Sequence, residues 1–219
     1  MKYTITDTMR FCDDIGMFAI DRSIPESCVH QTEFCKRECF NDKLYKLYPA
    51  METKDVKNEI AWKAISKQSA IEFRNKLKRA RRQTNRVRLM TRGEAFSDYA
   101  DVERVRILLV HNPDSVFWIP TRAWRNPVIW SMVQSTIAPL PNARIHCSLD
   151  PTNDADETSW IDTMGYSTMY FGDDTETDSR FKCPKTWQTR KGSRKREYCS
   201  SCIKGCFADF KVDVHLKKH

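Results

Sequence analysis

From about residue 87 onward, short apolar runs alternate with longer amphipathic ones. V-R-L-M-T (87–91) has the length and branched apolar content of a strand. D-Y-A-D-V-E-R-V-R-I-L-L-V-H-N (98–112) repeats its apolar residues at helical spacing. The pair recurs as V-F-W-I-P (116–120), a strand, and P-V-I-W-S-M-V-Q-S-T-I-A (127–138), a helix. A-R-I-H-C-S-L (143–149) predicts a third strand, a short helix falls near 156–164, and Y-S-T-M-Y-F (166–171) predicts a fourth strand. The strand centres lie about 23 to 29 residues apart, the length of one βα unit. Strands alternating with helices of this length predict a parallel sheet.

Upstream, residues 55–82 contain good helix formers and no Gly or Pro, which predicts one long helix with Asp55 as its N-cap. Val56, Ile60, Ala64, Ile71 and Leu77 fall at roughly helical spacing and form its expected apolar face. G-M-F-A-I (16–20) is a candidate first strand. The expected fold is α/β: a partial (βα) barrel of parallel strands with a cysteine-rich C-terminal tail. A flat doubly wound sheet is the alternative. The length of 219 residues suits a single domain, with a barrel over 16–180 and a basic tail over 181–219 packing on it.

Either architecture places function at the C-terminal ends of the strands. The segments there are T-R-G-E-A-F-S-D (91–98), P-T-R-A-W-R (120–125), S-L-D-P (148–151) and G-D-D (172–174). Arg92, Gly93, Glu94, Arg122 and Arg125 are therefore expected around one mouth. The loop after the first strand carries C-V-H-Q-T-E-F-C-K-R-E-C-F-N-D (28–42), whose three cysteines have no packing rationale.

Composition narrows the chemistry. The N-terminus lacks an apolar signal-peptide core, and no apolar run approaches the ~18 residues of a membrane span. The expectation is a soluble cytoplasmic protein with no membrane partner. In a reducing compartment, clustered cysteines point to metal ligation or catalysis before disulfides. Lys and Arg outnumber Asp and Glu by 37 to 29. Much of the excess lies in 76–88, in R-K-G-S-R-K-R (190–196) and in H-L-K-K-H at the end. Such patches attract nucleic acid or an acidic protein, or are simply solvated faces. The five histidines, His30, His111, His146, His215 and His219, form no hydrolase motif, and no P-loop or dinucleotide fingerprint occurs.

Seven of the nine cysteines fall in two clusters. Cys28, Cys35 and Cys39 are spaced C-x6-C-x3-C; Cys183, Cys199, Cys202 and Cys206 are spaced C-x15-C-x2-C-x3-C. Four thiolates satisfy a tetrahedral Zn²⁺ or a cubane [4Fe–4S] cluster. The N-terminal three could hold a cubane with one iron left for another ligand, or a zinc ion completed by His30. Cys12 and Cys147 stand alone and read as buried thiols.

The order of C-x6-C-x3-C followed by Phe40, a strand ending R-G-E-A-F-S-D, the strands F-W-I-P-T-R-A-W and R-I-H-C-S-L-D, and a closing C-P tail resembles the phage "gene product 88" family, over roughly residues 16 to 207. That family is thought to be related to radical-SAM enzymes. The resemblance implies a partial barrel and a cubane iron–sulfur cluster. Radical-SAM enzymes carry C-x3-C-x2-C; here Cys35 and Cys39 supply C-x3-C, and Asp42 stands at the third position. R-G-E (92–94) is similar to the Gly-Gly-Glu step of those enzymes, which would give Glu94 the amine of S-adenosylmethionine to hold. A cluster completed by Cys28 or a tail cysteine would leave no open iron, and the protein would then be an electron carrier or a structural or regulatory iron–sulfur protein. The expectation is thus an iron–sulfur phage protein, enzyme or not; the alternative is a zinc-stabilised nucleic-acid-binding protein.

Overall fold

The structure, a computed structural model, describes residues 3–12, 16–80, 84–173, 180–183, 199, 202 and 205–217. Its centre is an open sheet in the order β1-β2-β3-β4-β5-β6-β8-β7. The strands are β1 (Arg10–Cys12), β2 (Met17–Ile20), β3 (Arg86–Leu89), β4 (Val116–Thr121), β5 (Ala143–Leu149), β6 (Ser167–Gly172), β7 (Phe181–Lys182) and β8 (Val214–Lys217). Among the described residues, only the β1–β2 pair is antiparallel. From β2 to β6 each strand lies beside its predecessor, and the order never reverses as it does in a doubly wound sheet. The four strands read from the βα repeat and the strand at 16–20 all form, within a residue or two. The tail does more than pack on the sheet, since it contributes β7 and β8.

The intervening helices are α1 (Ile5–Thr8), α2 (Ile24–Ser27), α3 (Glu33–Arg37), α4 (Phe40–Leu47), α5 (Pro49–Lys63), α6 (Lys67–Arg79), α7 (Tyr99–Val110), α8 (Pro127–Thr136) and α9 (Ala155–Thr163). Their starts follow from local chemistry. Asp98 caps α7 by accepting from the Asp101 N–H at 2.8 Å. Asn126 caps α8 ahead of Pro127, and Asp154 with Glu157 forms a capping box on α9.

Alternation along the strands separates two faces. Phe18, Val87 and Phe117 are in register, as are Ile20 with Leu89 and Ile119 with Ile145. They share one buried cluster with Trp62, Phe73, Val105, Leu108, Trp130, Val133 and Ile161 from α5 to α9. Those helices therefore cover one face. The other face carries Arg86, Arg88, Trp118, Arg144 and His146.

The single helix expected over 55–82 is two helices. Ser66 caps α6 by accepting from the Ser69 N–H, a start signal hidden in a helix-favouring run. The expected apolar face is also corrected. Val56 is 41% exposed and Ile60 52%, whereas Asp55, Asn58 and Glu59 are buried. Asp55 is accordingly a helix-interior residue and not an N-cap. Two interior arginines from the strand ends turn the helix this way. Arg22 binds Glu59 at 2.6 Å and Asp101 at 2.7 Å, and its guanidinium lies 5.1 Å from the Trp62 ring centroid. Arg92 binds Asp55 at 2.6 Å and Asp21 at 2.9 Å. Arg10 completes Asp21, and Arg104 and the Trp62 N–H complete Asp101.

Breaking a buried ion pair leaves an uncompensated charge, worth about 3–5 kcal/mol. Arg22→Met removes the partner of both Glu59 and Asp101, so urea denaturation should show a loss of that order. Burial opposes ionisation of Asp101 and Asp21, but the arginines beside them outweigh it and hold both below the usual carboxylate value of 3.8. A lowered pKa stabilises above the unfolded value and is lost as pH falls through the folded one. Stability should be level above about pH 4 and fall steeply at more acid pH, as read by denaturant midpoints against pH.

Candidate functional site

A cavity of 190 Å³ opens at the C-terminal ends of the parallel strands. Cys28, Cys35, His30, Arg88, Glu94 and Arg122 are among its lining residues. The strand-end cavity thus holds Cys28, Cys35, Gly93, Glu94 and Arg122 together, while Cys39 is not among its lining residues. Arg92 is not among the lining residues; its guanidinium is committed to Asp21 and Asp55. Arg125 lies outside as well, 35% exposed and 3.8 Å from Glu157.

Each thiol has a traceable position. Thr32 caps α3 and accepts from the Cys35 N–H at 3.0 Å. The Thr32 hydroxyl in turn donates to Asp150 at 2.5 Å, and Asp150 pairs with Arg122 at 2.9 Å. The third strand's end therefore fixes both the thiol helix and the arginine across from it. Cys28 ends α2, with its N–H on the Ile24 carbonyl, and Cys39 is the N-cap residue of α4. His30 Nε2 donates to the Phe96 carbonyl at 3.0 Å, which anchors the loop between Cys28 and Cys35.

Burial, then Glu94, Cys35 and Cys39, push the Cys28 thiol up to about 12. Burial also raises Cys35, partly offset by Arg122. The three thiols therefore lie within electrostatic range of one another. Among the described residues, however, no group of three or more His, Cys, Asp or Glu side chains stands as a ready-made metal cage. Cys12 and Cys147 are buried as expected of core thiols. Cys12 accepts from Arg10, and burial pushes Cys147 well up.

Glu94 and Gly93 shape the rim. One carboxylate oxygen of Glu94 accepts from the Ala95 N–H at 2.8 Å, the Phe96 N–H at 3.2 Å and the Thr121 hydroxyl at 2.7 Å; the other accepts from the Arg122 N–H at 2.8 Å. Three of these bonds crowd one oxygen, and the other keeps an acceptor site beside the Arg122 N–H. Glu94 ties the loop after β3 to the end of β4. Gly93 has φ +83°, and a Cβ there would meet Ser27 Oγ at 2.6 Å and Arg22 Cβ at 2.8 Å. Only glycine lets the loop lie this close to α2. Met90, which also lines the cavity, holds φ 61° without being glycine.

The tail thiols gather elsewhere. Cys206 is half-buried, and desolvation, with Cys183, Cys199 and Cys202 in electrostatic range, raises its thiol well above the ordinary value. The Cys183 N–H bonds the His215 carbonyl at 2.9 Å, and Arg86 Nη1 bonds the carbonyls of Cys199 at 2.6 Å and Cys202 at 3.2 Å. In the basic stretch 76–88, Lys78 pairs with Asp114 and Lys76 bonds the Thr6 carbonyl. Residues 81–83, the basic stretch 190–196 and the final residues 218–219 lie outside the described residues.

Sequence reasoning missed Arg88, Asp21 and Arg22. The signal for the last two was present: A-I-D-R places two opposite charges directly after an apolar strand, as T-R-G-E does. Arg88 alternates with Val87 and Leu89 inside a strand and reads there as an ordinary outward charge.

An open, predominantly parallel α/β sheet with a thiol-lined cavity at its strand ends defines the class of protein. The chain belongs to the Gene product 88 family, whose profile matches residues 13–208 and which supports its reading as a phage protein. No curated protein and no solved structure matches it. Among the described residues, no helix is long and apolar enough to cross a membrane.

Glu94→Gln replaces an acceptor by an NH₂ that confronts backbone N–H groups. Leaving one of these buried donors unpaired costs about 1–3 kcal/mol. The variant should melt lower, and hydrogen exchange at the Arg122 amide should accelerate.

Proposed function

We propose that this protein is an iron–sulfur protein on a radical-SAM-like partial barrel, with the cluster held at the strand-end cavity by Cys28, Cys35 and Cys39. The observation that carries the reading is the cavity itself. It brings two half-buried thiols, with a third in electrostatic range, to the end of a parallel sheet where this architecture places its chemistry. The sequential strand order and the helices on one sheet face support the barrel-like curvature.

The donor set fits the group. Buried thiols beside one another resist ionisation until a cation offsets their charge, and a metal does so directly. The thiols are close without being caged, so ligation would draw the loop of residues 28–39 together and order it. Arg122, fixed by Asp150, places a cation against Cys35 and opposes the negative charge of ligated sulfur. Glu94 and Gly93 hold the rim at a set distance from α2. A bound cubane would supply one-electron chemistry. S-adenosylmethionine, if it binds, would find an acceptor on the Glu94 oxygen that takes only the Arg122 N–H.

Protein purified or reconstituted without oxygen should be brown, absorb near 400 nm and hold about four irons per cluster. Single Cys→Ala changes at Cys28, Cys35 and Cys39 should each lower the iron content. A colourless protein that takes only zinc would exclude the iron–sulfur reading; steeply salt-dependent binding of DNA or RNA by that zinc form would then favour a nucleic-acid-binding protein.

A further inference from the structure

Among the described residues, no carboxylate forms a salt bridge with Arg88. It lies between Val87 and Leu89 of the core, so alternation turns it to the opposite sheet face. There its guanidinium stacks over Trp118, 4.4 Å from the ring centroid. Its Nε is buried without a hydrogen-bond partner. The nearby Asp21 is already held by Arg10 and Arg92. What surface Arg88 keeps faces the cavity that Cys28 and Cys35 line. Arg88 is only half-buried, but a guanidinium partly withdrawn from water with an unbonded Nε favours an anion beside it.

The tail thiols approach from the other side. Arg86, two residues earlier on the same face, holds the carbonyls of Cys199 and Cys202 and lies 5.1 Å from the Phe207 ring centroid. Phe207 meets Trp118 edge-on at 6.2 Å. A continuous row of contacts therefore runs from the tail cysteines through Arg86, Phe207 and Trp118 to Arg88 and the cavity. Burial lowers the Arg88 pKa, while Cys206, Asp21, Cys199 and Cys12 act electrostatically in the opposite sense.

We infer that the seven clustered cysteines form two separate metal–thiolate centres, Cys28/Cys35/Cys39 at the cavity and Cys183/Cys199/Cys202/Cys206 in the tail, with Arg88 as the counter-charge between them. This rests on the metal-binding reading above. Each thiol releases its proton to solvent when it ligates. Four thiolates on a divalent ion leave a doubly negative centre, and a four-thiolate cubane also remains anionic. A guanidinium that stays protonated offsets that charge from within the fold. Arg88 is thus a positioning and charge-balancing residue and not a ligand.

The test uses the full chain, loaded anaerobically with iron and with zinc as separate probes. Iron and zinc per chain, metal affinity and the midpoint potential are read. Replacing Cys28, Cys35 and Cys39 together by Ala should leave the tail's metal in place, and replacing the four tail cysteines should leave the cavity's. Arg88→Gln should weaken metal binding about 10–100-fold at both centres and lower the midpoint potential, whereas Arg88→Lys should stay near wild type. The inference is overturned if removing either cysteine set strips all metal, if Arg88→Gln matches wild type, or if Arg88→Lys loses metal. Should Arg88→Gln not fold, the Lys variant decides alone: retained metal supports the role of charge and lost metal refutes it. A wild-type chain that takes up neither metal refutes the underlying reading instead, together with this one.

Discussion

Two arginines at the ends of adjacent strands govern this molecule. Arg22 and Arg92 are almost fully buried, and an interior guanidinium requires carboxylates close by. Asp21, Asp55, Glu59 and Asp101 meet that demand from β2's end, α5 and α7. The consequence is a helix turned against its own hydrophobic pattern, because leaving two buried cations unpaired would cost more than exposing Val56 and Ile60. Transfer of one aliphatic side chain is worth about 1.5–3 kcal/mol, and a stranded interior charge about 3–5 kcal/mol.

The same lattice sets the geometry of the cavity. Arg22 reaches the Glu94 carbonyl at 2.9 Å, and its Cβ leaves room only for glycine at position 93. Glu94 then points forward to grip the end of β4, and Arg122 follows directly from there. On the far wall, Asp150 joins Arg122 to the cap of the Cys35 helix. The thiols are consequently placed by hydrogen bonds and ion pairs from three strand ends. Apolar packing contributes too, since Phe34 beside Cys35 is buried and meets Phe171 edge-on.

Much of the fold was legible in the chain. The βα repeat from residue 87 to 172 follows from periodicity, since strands of period two and helices of period 3.6 leave different marks. The strand-end position of Cys28, Cys35, Glu94 and Arg122 follows from that repeat. The break at Ser66 was written as a capping pattern but outweighed by the run of helix formers around it. β7 and β8 were not legible, because their short runs gain meaning only beside β6.

The sequence by itself determined the alternating elements, the clustering of the thiols and the end of the sheet where Cys28 and Cys35 lie. Periodicity, capping and spacing are local properties that a chain carries with it. Tertiary structure alone decided that α5 turns its acids inward, that Arg92 serves the framework while Arg122 faces the cavity, and that Arg88 stacks on Trp118 beside Cys28 and Cys35. Those outcomes depend on which distant charges share one low-dielectric interior, where an unmatched ion is too costly to leave. No stretch of sequence records that pairing until the chain has folded.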